Sequence, residues 1–233
     1  MKKNQGIFKG LQKIGKNNPL MVFAFIWVAI VPSLGSILLV PFFITNTTFF
    51  QQLDFSSPET WFLYLIPCAI LMAFAFMPTT LLAGLTGFIL GWKALLLLIL
   101  SYTLATLFGY GLGKKMDKNS LDILLGEYPR AKALVENKKG KMGELIFFVR
   151  LSPIIPFAFS NLLFALLDTG WKRVVLFGFI GMLPRTLLAF GSGVLADSIY
   201  TAIRQGGNAF NWALIIGLIL LSLWGIARFF KSK

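Results

Sequence analysis

The stretch RLSPIIPFAFSNLLFALLDTGWKR, Arg150 to Arg173, decides how the chain folds. It opens on a charge, carries Pro153 and Pro156 three residues apart, and closes on the basic cluster Trp171-Lys172-Arg173. The apolar segment around it, 144–168, follows a loop rich in Lys and Arg. Both of its ends therefore seek the cytoplasmic side, where basic residues collect. A segment that enters and leaves on one side does not span. The two prolines remove backbone donors and break helix, so the segment reads as a re-entrant helical hairpin.

Composition sets the medium. Of 233 residues, 57% are hydrophobic and 13% charged, with mean hydropathy +0.77. A soluble domain of this size does not hide so much apolar surface. Several apolar runs reach the roughly 20 residues that cross a bilayer. The chain reads as an integral membrane protein. The net charge of +13 raises the question of nucleic acid. The basic residues flank apolar runs, however, which fits positive-inside topology and anionic lipid better, so no nucleic-acid partner is expected. There is no histidine and a single cysteine, Cys68. That leaves no intrachain disulfide and removes the commonest metal ligand and general base. No metal site or cofactor is expected.

Residues 1–18 hold five lysines and no acid and read as a basic cytoplasmic segment. Ile7, Phe8, Leu11 and Ile14 fall at helical spacing, which fits either a surface-lying helix or a frayed tail. The remaining 19–233 read as one membrane domain. A first helix over about 20–44 is too long for an ordinary signal sequence and crosses outward. The loop 45–60 carries Asp54 and Glu59 without a basic residue and reads as external. The apolar block 61–113 follows. Then 114–144, with eight Lys/Arg and five Asp/Glu, reads as cytoplasmic. The block must cross an odd number of times, yet it is about two spans long. One re-entrant hairpin over 61–90, bent by Pro78 with Gly84 and Gly87 after it, plus one span over 94–113 satisfies both conditions. After the second hairpin, a span over 174–196 leads to a short loop with Asp197 and Arg204, and a last span over 209–227 returns inside. An interfacial helix is expected over 119–139.

The halves repeat. Pro78 precedes Gly91-Trp92-Lys93, and Pro156 precedes Gly170-Trp171-Lys172, at nearly equal spacing and with opposite entry side. The expected fold is all-α: about four transmembrane helices plus two opposed re-entrant hairpins arranged as an inverted repeat. Proteins built so place their site near the midplane, where broken helices meet.

Arg150-Leu-Ser-Pro153-x-x-Pro156 with Asn161 and Gly181-Met-Leu-Pro184, together with Pro78 and the glycine-rich stretch after it, resembles the VTT-domain or DedA-like superfamily over about residues 70–195. The branch it resembles is that of bacterial SNARE-associated Golgi proteins. The resemblance implies two opposed re-entrant hairpins and movement of phospholipids or lipid-linked phosphates across a membrane. It also implies, for some members, proton coupling through an acid beside the first hairpin's proline. Met77-Pro78-Thr79-Thr80 has no carboxylate there, and Asp168, the nearest alternative, is expected at the cytoplasmic edge. Ala165 and Arg185 stand where the pattern commonly has glycine.

Two cations fall at membrane depth. Arg150 lies roughly 9 Å inside its hairpin and Arg185 roughly 20 Å beyond Lys172, at 1.5 Å per residue. Intramembrane charges mark function by default, and a guanidinium fork suits phosphate oxygens. Arg150, Arg185 and Asn161 are the candidate lipid-phosphate ligands. The competing expectations are that Arg150 snorkels or caps carbonyls freed by the prolines, that Asn161 satisfies unwound backbone, and that Arg185 stabilises the hairpin tips. Pro78, Gly84, Gly87, Pro153, Pro156 and Pro184 are the candidate hairpin-shaping residues, with helix packing an alternative for the glycines. The expected function is a lipid transporter or scramblase in a plasma membrane, both termini cytoplasmic, with membrane phospholipids as partners; a homo-oligomer is compatible with it. A small-solute or ion carrier of the same architecture and a non-transporting assembly or trafficking factor stay open. An enzyme is not expected, because the parts for acid–base or metal chemistry are missing.

Overall fold

The computed structural model describes residues 19–116, 139–152 and 155–205, and four single positions beyond them (213, 216, 217 and 220). The expected basic segment over 1–18, Pro153 and the expected span over 209–227 fall outside the described residues or touch them only at those positions. So does the interfacial helix, save for Lys139. Every regular element among the described residues is helical. In chain order these are α1 (Pro19–Thr45), α2 (Thr47–Gln51), α3 (Pro58–Ala73), α4 (Thr79–Leu90), a 3-10 turn (Gly91–Ala94), α5 (Leu95–Met116), a second 3-10 turn (Lys139–Lys141), α6 (Met142–Leu151), α7 (Phe157–Leu166) and α8 (Trp171–Gln205). Three helical runs, Val22–Thr45, Thr79–Met116 and Trp171–Thr201, are long and apolar enough to cross a membrane.

Both expected interruptions are present. α3 ends in a Schellman motif: Phe76 N–H donates to the Leu71 carbonyl at 2.9 Å and Ala75 N–H to that of Met72 at 3.3 Å. The residue between, Ala75, takes the left-handed φ of 59° that glycine usually supplies there. Pro78 then starts α4 as its N-cap. The second break is built differently at its first arm. Ser152, preceding Pro153, is extended (ψ 129°), as a residue before proline must be. Pro156 starts α7. The two prolines have nearly the same backbone, φ −59°, ψ 132° and φ −58°, ψ 143°. Downstream, Gly91 and Gly170 share a positive φ, 62° and 85°, so the repeated Gly-Trp-Lys triplet marks a repeated turn.

Packing crosses between the halves. α3 lies on α5 and α6 on α8, each within its own half. The short helix after each proline lies instead on the long helix of the other half, α4 on α8 and α7 on α5. Small residues make both crossings possible. A Cβ on Gly87 would overlap the Phe190 carbonyl and one on Gly193 the Gly84 carbonyl; on the other side, a Cβ on Gly113 would come within 2.6 Å of Ala165 Cβ. Gly193→Leu is therefore expected to cost about 3 kcal/mol through overpacking. Gly191→Leu, with nothing within 4 Å, should be near neutral. Thermal unfolding in detergent of the two variants checks this.

Three expectations change. Gly84 and Gly87 do not shape the bend; they lie inside α4 against α8, and the bend is made by 74–78. Pro184 does not shape a hairpin either. It sits within α8, which runs past it unbroken, at the cost of one helical hydrogen bond. The loop expected to hold Asp197 and Arg204 is helix to Gln205, because 194–205 contains no glycine or proline and Gly206-Gly207 come only afterwards.

Candidate functional site

Arg150 is on the last turn of α6 and 2% exposed. Its guanidinium folds back onto the start of α7. Nη1–H donates to Ser160 Oγ at 2.9 Å and to the Phe157 carbonyl at 3.3 Å; Nη2–H donates to Asn161 Oδ1. The Phe157 and Phe164 rings lie 4.3 and 5.4 Å from its charge centre. A cation between π faces and neutral oxygens is partly compensated without a carboxylate. Arg150 thus clasps the two arms of the second break together, and Asn161, fully buried, is its acceptor. The sequence singled out each residue but did not pair them; the structure does, and neither lines the cavity that Arg185 borders.

Arg185 is placed otherwise. One turn beyond Gly181 on α8, it reaches both breaks. Nη1–H donates to the Ser152 carbonyl at 2.9 Å and Nη2–H to Thr79 Oγ1 at 3.3 Å, while Nε–H has no protein acceptor. Among the described residues no carboxylate pairs with either arginine; the ion pair there is Lys114–Asp168, 2.9 Å, between the end of α5 and the α7–α8 turn. Asp168 is exposed in that turn, away from the breaks.

Arg185 borders a cavity of about 250 Å3 between the two breaks, with α1 along its side. Pro78 and Pro156 both line it, so the tips of the two broken segments meet. Thr79 and Thr80 open α4, Phe157 and Ala158 open α7, and all four line it as well. Neither helix start has a side-chain cap. The first bonds inside these helices begin at Leu82 and Ser160, which leaves the earlier amides of both first turns without helical partners. Two positive helix ends and a guanidinium at one cavity form an electropositive cradle. Sequence reasoning found Pro78, Pro156 and Arg185. It missed Thr79 and Thr80, whose only signal was a hydroxyl beside Pro78, and Ser33 of α1, which also lines the cavity.

The VTT domain family model matches residues 77–195, from the residue before Pro78 to the far end of the α4–α8 contact. The chain belongs to the VTT domain family. Its matched region holds Pro78 and Pro156, both crossing contacts and both arginines, while α1, α2 and α3 lie before it. No curated protein and no solved structure matches this VTT-domain chain.

Proposed function

We propose that this VTT-domain protein moves phospholipid, or a lipid carrying a phosphate, between the leaflets of a plasma membrane, with the cavity between the breaks receiving the headgroup. The observation that carries this reading is the convergence of two uncapped helix starts and Arg185 on one cavity. Phosphate oxygens satisfy such amides and pair with such a fork. Arg185 holds the phosphate. Arg150 and Asn161 keep the second break in shape from behind, and act on the lipid through that shape. No bond in the substrate is made or broken.

In this reading α3–α4 and α6–α7 are re-entrant hairpins from opposite sides, α1, α5, α8 and a segment over 209–227 are the spans, and both termini are cytoplasmic. Cysteines at Asp54 and Gly140, placed singly in a Cys68→Ser background, report on it. A membrane-impermeant maleimide should modify position 54 from outside and position 140 only after permeabilisation; external labelling at 140 overturns the topology. The activity is tested by a fluorescent-phospholipid flip assay on the purified protein in liposomes. Movement no faster than in protein-free liposomes overturns the reading.

A further inference from the structure

A second, larger cavity of about 490 Å3 lies in the trough between α1, α3 and α4, with α2 across one end. Its walls are hydrocarbon and aromatic ring, Leu39, Phe43, Phe50, Leu71 and Leu85 among them. Two hydroxyls reach it, those of Tyr64 and Thr86, and they bond each other at 2.9 Å. A buried water needs two to four polar partners, and apolar cavities stay dry. Beside helices of membrane length, the medium that fills such a space is hydrocarbon.

Its position names the hydrocarbon. The three helices that line this cavity also line the polar one. Along α1, Pro32 and Ser33 face the polar cavity and Leu39 and Phe42 the apolar one; along α3, Met72 faces the first and Cys68 the second. On α4, Thr79 lies at the polar cavity, and Leu82, Thr86 and Ile89 follow at the apolar one. Their i, i+3, i+7, i+10 spacing makes a single stripe. The stripe is about 15 Å long at 1.5 Å per residue. The cavities therefore stand end to end in one trough. Gly35, between Ser33 and Leu39 on α1, packs on the first break, where its absent Cβ leaves room for the Phe76 carbonyl.

We infer that the apolar cavity is an acyl-tail site, occupied by a tail of the same phospholipid whose phosphate sits in the polar cavity. This rests on the proposed function for the identity of the headgroup. One lipid then lies along α4, its phosphate at the helix start and its tail on the Leu82–Ile89 stripe, and substrate choice depends on tail as well as headgroup.

The test uses a phospholipid with a diazirine at the tail end, incorporated sparsely into nanodiscs with the intact protein, and adducts mapped by mass spectrometry. Adducts on the cavity walls, 63–71 and 82–90, should exceed those on the outer faces of α1 and α8 roughly tenfold per residue, the factor that 1.4 kcal/mol of preference represents. Leu85→Trp, which fills the cavity, should remove the excess and leave the outer adducts. A fatty alcohol with the same tail and diazirine, lacking phosphate, should show no excess. Even labelling by the phospholipid probe overturns the inference, and so does equal cavity labelling by the alcohol. The two readings fail separately. Lipid flipping with even labelling sinks the tail site alone, and cavity labelling without flipping sinks the transport reading alone.

Discussion

Arg185→Gln is expected to slow phospholipid flipping in liposomes roughly 10- to 100-fold, the range that corresponds to losing a charged hydrogen bond of about 1.5–3 kcal/mol. The reason is the placement of the fork. Two of its nitrogens are held by Ser152 and Thr79, which aim the group at the cavity, and Nε–H has no protein partner. Glutamine can still hydrogen-bond one break but brings no charge to the phosphate. Arg185→Lys should fall between, since an ammonium keeps the charge and loses the planar fork. The variants must remain folded for the comparison to count, which size-exclusion and thermal melting in detergent establish. A folded glutamine variant that flips lipid at the wild-type rate removes Arg185 from the site.

The second large effect belongs to Arg150 and is of another kind. Arg150→Leu should destabilise the protein by about 3 kcal/mol, the upper end of the roughly 1–3 kcal/mol that a buried polar group costs when left without its partner. For a chain of this size that corresponds to a melting temperature lower by roughly 10 °C. It strands Asn161 Oδ1 in a dry interior, leaves the Ser160 hydroxyl only its bond to the Phe157 carbonyl, and unties the end of α6 from the start of α7. Asn161→Leu should be destabilising too. The double variant should cost less than the sum of the singles, because each already breaks the same contact. Additive losses would show that the two residues act independently. Flipping by Arg150→Leu should fall only as far as the folded fraction falls, which separates a clasp from a phosphate ligand.

Much of the fold was legible because it is written in residues with strong local preferences. Prolines 78 and 156 are the N-caps of α4 and α7, and the two Gly-Trp-Lys triplets, read from their spacing as a repeat, begin on glycines that share a positive φ. Helix length followed from apolar run length for α1 and α5. What was not legible depended on contacts between distant segments. Gly84 and Gly87 read as bend-makers until α8 lies against them. Ala75 carries no signal for a left-handed turn, since the Schellman bonds around it and the packing of α3 impose that conformation. The site divided likewise. Charge at depth pointed to both arginines, but nothing in sequence spacing says that one turns inward onto Asn161 and the other toward a cavity.

The crossing of the halves also bears on how the chain is made. α4 leaves the ribosome without the surface it is shaped for, because residues 189–193 of α8 come about a hundred positions after Gly87. At the usual 5–20 residues per second, that is a delay of roughly 5–20 s. During this interval α4 has its first-half neighbours α1, α2 and α5 but not α8, and its glycine face lies bare. The order of assembly is thereby constrained: α7 and α5, the partners of one crossing, are both made before α8, and the arrival of α8 closes the α4–α8 crossing last. Truncation anywhere before Gly193 should leave a substrate for membrane quality control rather than a smaller working protein.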